Sequence, residues 1–228
     1  MSFSNLVQTC LYLYTLQTGL YYCQMDNDQN LEPGGASPRR GPPRKGEPSA
    51  RERILATASK LFYRDGIRAV GIDTVLAESG VAKASLYRAF PSKDALITAF
   101  VTEHDQAFWA RWDALAAQYV DEPRAFLKAF LISLAERISR PDFRGCPFLN
   151  VSTEFPDDAY DARRVARANK DKLRSRLAET CSRIGIADPD RTAGQLLLLI
   201  NGAYVTAQMA SDAELSRSLT DAAERLVE

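Results

Sequence analysis

Residues 72–96 read IDTVLAESGVAKASLYRAFPSKDAL, and no other stretch limits so tightly what this chain can fold into. The first part, 72–79, is a short helical pattern with Val75 and Leu76 apolar. Gly80-Val81 breaks it, and a second short helix fits 83–90. Two helices joined by a tight Gly-containing turn form a helix-turn-helix, whose second helix is narrow enough for the major groove of DNA. Leu86 and Phe90 are four apart, so they share a face and anchor that helix to a core. Lys83, Ala84, Ser85, Tyr87 and Arg88 are left on the remaining surface. Small residues permit close approach, while hydroxyls and cations reach phosphates or base edges. The second helix reads as a DNA-recognition helix.

Gly80-Val81, Leu86-Tyr87, Phe90, Ser92-Lys93 and Leu96, taken with their spacing, resemble the signature of the TetR (tetracycline-repressor) family of bacterial one-component regulators, over roughly residues 49–100. The resemblance implies that Tyr87 and Lys93 grip backbone phosphates while Lys83, Ala84, Ser85 and Arg88 face the groove. Two positions depart from the family pattern: Gly71 replaces a common Thr at the start of the first motif helix, and Ala82 replaces a Ser or Thr before the recognition helix. Gly is a tolerable N-cap and Ala a poor one, and each replacement removes a hydroxyl within reach of a phosphate. The resemblance also implies dimerisation through the last two long helices.

Formal net charge is zero, which fits a DNA binder only once it is divided along the chain. Residues 39–95 hold twelve Lys and Arg against six Asp and Glu, so an equal acidic excess lies elsewhere. Such asymmetry is expected when one part of a protein meets a polyanion and the other does not. Cys10, Cys23, Cys146 and Cys181 lie far apart without metal-ligand spacing, and His104 is the single histidine. No metal site or cofactor is therefore expected. Enzymatic catalysis would need a nucleophile–base pair or paired carboxylates, and His104 has no evident partner. The apolar run 11–22 contains Thr15, Gln17, Thr18 and Gly19, and no Lys or Arg precedes it. It is neither a signal peptide nor long enough to span a bilayer. It reads as a disordered extension, or as a spurious piece upstream of a true start at Met25, of a cytoplasmic protein without a membrane partner.

Residues 25–48 are polar and rich in Pro and Gly, a linker composition. The pairs Arg39-Arg40 and Arg44-Lys45 suit either a flexible arm on DNA or a solubilising tail. Ordered structure begins at Ser49, which has capping-box spacing to Glu52, and runs helically to Gly66. Ser92 caps a long helix to about Tyr119, with a stripe of Leu96, Phe100, His104, Ala107-Phe108, Arg111-Trp112 and Leu115. Further helices are expected over 121–139, 147–154, 157–184 and from Asp188-Pro189 to Met209, with Ser211 and Glu214 capping the last. The chain is all-α: residues 1–48 an extension and linker, 49–95 a three-helix bundle carrying the helix-turn-helix, and 96–228 a larger helical domain for ligand binding and dimerisation.

Phe108, Trp112, Phe126, Phe130, Phe148, Phe155 and Tyr204 fall on four or five of these C-terminal helices. An apolar cavity between helices with a few polar groups is a common small-molecule site, and His104, Asn201 and Gln208 are polar residues in apolar patterns; a plain aromatic core accounts for the same residues. The run 196–200, followed by Gly202, Ala203 and Ala207, makes a helix buried on more than one side, either a central core helix or part of a dimer interface. Cys146 sits in Arg144-Gly145-Cys146-Pro147, before a helix and near a cation, which favours a thiolate; a small buried hydrophobe is the alternative. The basic stretch 163–176 is interleaved with acids and reads as a solvated face. Together with the resemblance, these features point to a homodimeric repressor that a small apolar or aromatic effector releases from a palindromic operator in double-stranded DNA. The alternatives are an electrophile- or redox-sensing repressor using Cys146 and an architectural DNA-binding protein without an effector.

Overall fold

The computed structural model describes residues 47–209 and 213–228, and the regular elements among them are all α-helices. Helix α1, Ala50–Asp65, opens on the expected capping box: Ser49 Oγ accepts from the Glu52 N–H at 3.2 Å, and the Glu52 carboxylate accepts from the Ser49 N–H at 2.7 Å. Its Ile54, Leu55, Ala58, Leu61 and Phe62 are buried and form the floor for the next two helices. Helix α2, Ile72–Ser79, ends at Gly80, whose φ of 61° is left-handed. A Cβ at Gly80 would meet nothing within 4 Å, so the glycine serves the dihedral alone. Helix α3, Lys83–Ala89, follows directly, and neither Gly71 nor Ala82 supplies a side-chain cap.

Helix α4, Lys93–Ala116, is 24 residues long, or about 36 Å at the α-helical rise. Ser92 Oγ caps it by accepting from the Ala95 N–H at 3.0 Å. It stops short of Tyr119 because the amides of Gln118 and Tyr119 turn back on Leu115 and Ala116, tightening the last turn. The single expected stripe proves too narrow: Ile97, Val101 and Trp109 are buried along with Leu96, Phe100 and Trp112. The cause is cover on more than one side, from α1 at the first turns and from the C-terminal helices beyond.

The remaining helices are α5, Pro123–Ile138; α6, Pro147–Glu154; α7, Asp161–Ile184; α8, Pro189–Met209; and α9, Ala213–Leu226. α6 coincides with its expected span. α7 starts four residues late because Asp157 Oδ1 accepts from the Ala159 N–H at 2.9 Å, a local turn that competes with helix. α7 packs on α4, α6 and α8, and α9 lies against α5 and α8. The stripe Ala162, Ala166, Asn169, Leu173, Leu177 and Cys181 faces inward on α7. Its basic residues are less uniformly solvated than their spacing suggests. Arg163 bonds the carbonyls of Ser152 and Phe155, Lys170 bonds Asn201, and Lys172 lies 4.0 Å from the centre of the Trp109 ring.

The extension with its Arg39-Arg40 and Arg44-Lys45 pairs, and Ser211 of the last capping box, lie outside the described residues. No helix among the described residues is long and apolar enough to cross a membrane. Replacing Gly80 by Ala forces a Cβ into a left-handed conformation without a clash, so the loss should be strain alone, about 1–2 kcal/mol. Thermal unfolding followed by circular dichroism measures it. A Gly80→Ala protein as stable as the parent would mean that the turn relaxes to another geometry.

Candidate DNA interface and ligand-binding core

The recognition face follows from the two anchors of α3. Leu86 is 0% exposed and Phe90 2%, and with the helix pinned on that side Lys83, Ala84, Tyr87 and Arg88 stand outward. Ser85 is half-buried. Tyr87 holds 43% of its surface exposed, so its ring and hydroxyl are accessible on this face. Lys83 keeps only a loose ion pair with Asp73 at 3.9 Å, both groups in solvent. Lys93, in the first turn of α4, is half-buried, and its Nζ donates to the Arg68 carbonyl at 3.4 Å. Behind the face, the Arg51 guanidinium lies 5.0 Å from the Phe90 ring centre and closes the bundle.

In the C-terminal domain five of the expected ligand-binding aromatics do come together. Phe108 meets Phe130 and Phe148 at 6.5 Å each, and Trp112 meets Phe126 at 4.9 Å and Phe130 at 4.7 Å, all edge to face. Trp109, absent from the expected set, joins through Phe108 at 5.0 Å and Trp112 at 5.9 Å. These are packing distances, so the cluster is a filled core. A cleft of about 220 Å³ lies elsewhere, between α5 and α9 around Leu131, Ile132 and Thr220, and shares no residue with the cluster.

The polar candidates scatter. Asn201 is tied to α7, where its Oδ1 accepts from Lys170 at 2.8 Å. Tyr204 is buried and stacks on Phe143 at 5.9 Å, with Cys146, 5% exposed, acting on it electrostatically; burial pushes the Tyr204 phenol up. His104 turns toward the DNA-binding bundle, with Phe100 at 4.7 Å and Tyr63 at 6.2 Å between ring centres. Burial, then the nearby cations Arg137 and Arg111, hold its pKa down to about 3. A separate polar group was not legible as a site: Asp105 Oδ1 accepts from Trp109 Nε1 at 2.9 Å and from Asn169 Nδ2 at 2.8 Å, clamping α4 to α7. Asn169 falls on the α7 stripe, and that register was the available signal.

The contacts between the bundle and the C-terminal domain were missed as well. Tyr63 Oη donates to the Gly145 carbonyl and accepts from the Arg144 N–H, both at 3.1 Å. Gly145 has φ 90°, and a Cβ there would fall 1.8 Å from Gln208 Nε2, which donates to the Arg144 carbonyl at 3.0 Å. Only glycine fits. At the other end of α6 the Glu154 carboxylate accepts from the N–H groups of Ile67 at 3.2 Å and Arg68 at 2.8 Å. Among the described residues no three His, Cys, Asp or Glu side chains cluster as metal ligands.

A small bundle with an exposed recognition helix on a larger all-helical domain defines a helix-turn-helix transcription regulator. Residues 54–100 match the model for bacterial regulatory proteins of the tetR family. Over 78% of the chain the structure superposes on 94% of SCO4454, a TetR-family transcriptional regulator of Streptomyces coelicolor, with a TM-score of 0.74 and 32% identity. The regulator LmrA of Bacillus subtilis is 32% identical over 100 residues, 43% of this chain and 53% of LmrA. The repressor NemR of Escherichia coli is 28% identical over 121 residues, 51% of this chain and 59% of NemR. Across the curated relatives the match spans 22% to 59% of their length. The chain belongs to the TetR family of transcriptional regulators.

The depressed His104 pKa sets a pH dependence. Unfolded, the imidazole titrates near 6.5; folded, near 3, so the unfolded chain takes up the proton first as pH falls. Stability from the neutral imidazole is fully present above pH 6.5 and is lost as pH drops from there toward about 3. His104→Gln should flatten the slope of melting temperature against pH in that window. An unchanged slope would mean that the ring protonates freely in the folded protein.

Proposed function

We propose that the protein is a repressor, released from a palindromic operator by a small apolar or aromatic effector. In this reading residues 49–95 read the DNA, and 96–228 bind the effector and dimerise. The observation that carries it is α4, one continuous helix whose Leu96 and Phe100 belong to the DNA-binding core and whose Trp109 and Trp112 belong to the aromatic cluster. Tyr87 and Lys93 are the phosphate contacts, and Lys83, Ala84, Ser85 and Arg88 face the groove. Phe108, Trp112, Phe126, Phe130 and Phe148 form the apolar wall, while His104, Cys146, Asn201 and Tyr204 lie apart from that cluster and take part only where rearrangement of the rings reaches them. That NemR is a repressor supports the sign of regulation.

Dimerisation is supported by α8, where Leu198 is 73% exposed, Val205 46% and Met209 77%. They stand at intervals of seven and four residues, on one face, and the position between them, Gly202, is open. A second copy on this face removes that apolar surface from water and sets two recognition helices about 34–36 Å apart, one turn of DNA. An effector that prefers another separation shifts the population off the operator.

Gel shifts on a duplex selected from random DNA by the full-length protein test the docking. Tyr87→Ala and Lys93→Ala should weaken binding to every sequence, because phosphate contacts are sequence-independent. Arg88→Ala should relax discrimination at one base pair by about 1–3 kcal/mol. Unaltered binding by both phosphate-contact variants at moderate salt would refute the pose. A second reading gives the signal to Cys146, which heads α6, the helix in contact with both the aromatic core and the bundle. Release of DNA by N-ethylmaleimide, abolished in Cys146→Ser, would favour that reading over a reversible effector.

A further inference from the structure

The turn between α1 and α2 is a short connection, yet its two consecutive amides, Ile67 and Arg68, do not go to water. Both donate to Glu154, one to each carboxylate oxygen, at 3.2 and 2.8 Å. Glu154 is the last residue of α6, where the helix dipole disfavours an anion. Helix stability therefore does not account for a carboxylate at this position. Its partners are 86 and 87 residues away in sequence, and they belong to the DNA-binding bundle. Arg163 bonds the carbonyls of Ser152 and Phe155 at 2.6 and 3.1 Å and so brings a cation to that helix end. The opposite end of α6 is fixed to α1 through Tyr63 and the backbone of Arg144 and Gly145. Between the two grips Phe148 and Val151 are buried, and Phe148 packs on Phe108 of the aromatic core.

We infer that Glu154 is a positioning residue for DNA binding: it fixes the angle of the reading head on α6, so that the packing of α6 against the aromatic core sets affinity for DNA. The apolar contacts of α4 with the bundle are non-directional and tolerate sliding. A carboxylate across two adjacent amides is directional, and charge-assisted bonds of this kind are the stronger ones. With Glu154 in place, a shift of Phe148 is carried along a short, stiff helix to the turn that precedes α2, and α2 carries α3. Without it, α6 keeps only the Tyr63 grip at its start, and its C-terminal end can move without carrying the turn that precedes α2. The inference rests on the DNA-binding reading and needs no effector.

A double-mutant cycle tests it in the full-length protein, on a duplex selected from random DNA by the parent. Phe148→Leu should change the DNA affinity of the parent several-fold, and Glu154→Gln should lower affinity by about tenfold, the size expected for losing a hydrogen bond to a charged group. In the Glu154→Gln background, Phe148→Leu should have a much smaller effect, because the directional grip at the C-terminal end of α6 is gone and only the one through Tyr63 remains. Amide exchange at Ile67 and Arg68, slow in the parent, should quicken in Glu154→Gln. A merely structural carboxylate would lower the melting temperature but leave the Phe148→Leu ratio the same in both backgrounds; that result overturns the inference, as does a parent affinity indifferent to Phe148→Leu. If Glu154→Gln loses its cooperative melt, Tyr63→Phe cuts the grip at the other end of α6 and is held to the same expectation. Failure of the parent to select any duplex would instead defeat the DNA-binding reading, and this inference with it.

Discussion

Everything in this fold depends on α4 being buried twice. Its first turns bury Leu96, Ile97, Phe100 and Val101, with Phe100 edge-on to Phe62 of the DNA-binding bundle, and its later turns give Trp109 and Trp112 to the C-terminal core. Each such side chain contributes on the order of 1.5–3 kcal/mol when fully removed from water. A three-helix unit of this size buries little apolar surface by itself. The reading head therefore borrows stability from a helix that it shares with the larger domain. Sharing a helix also means that neither core can repack without the other feeling it, because close-packed interiors transmit displacement rather than absorb it.

The head was legible because its signals are local. Leu86 and Phe90 define the hidden face of α3, Gly80 marks the turn, and Ser49 with Glu52 marks the first helix. The helix 147–154 was legible for the same reason: Pro147 opens it and an apolar pattern follows. Trp109 escaped because a stripe read at one period assumes one buried face, and α4 has more than one. Asn169 escaped because it sits in a charged stretch whose composition says solvent while its register says core. Of the candidate ligand-binding residues, five aromatics converge, since apolar rings on neighbouring helices have nowhere else to go. His104 and Asn201 do not join them, because a polar group goes where its partners are, and Tyr63 and Lys170 lie elsewhere.

Polar groups in this molecule therefore mark seams between elements more than they mark a pocket. Asp105 ties α4 to α7 through Asn169, Ser59 of α1 donates to Glu103 of α4 at 2.8 Å, and the Tyr160 hydroxyl of the α6–α7 connection donates to Asp94 at 2.9 Å. Removing one member of the part-buried Ser59–Glu103 or Asp105–Asn169 pair leaves the other short of a partner, which costs more than the bond itself contributes. Contacts of this type have one good geometry, whereas apolar contacts have many. The seams thus define orientation, and the apolar cores define stability.

That division bears on how a regulator of this family can be stable and still switch. A head held solely by apolar surface would drift through a range of angles, and two such heads would seldom meet successive major grooves together. A head held solely by hydrogen bonds would be rigid but indifferent to what happens in an aromatic core. Here the amides of Ile67 and Arg68 are held by Glu154, while six residues earlier on the same helix Phe148 lies among the rings. Six residues of helix span about 9 Å, too short to bend appreciably. A rearrangement of the rings is therefore converted, within one helix, from a soft apolar displacement into a change of angle at a directional bond. In the proposed docking DNA affinity responds to that angle, because a recognition helix tilted by a few degrees no longer presents the same outward face to the groove.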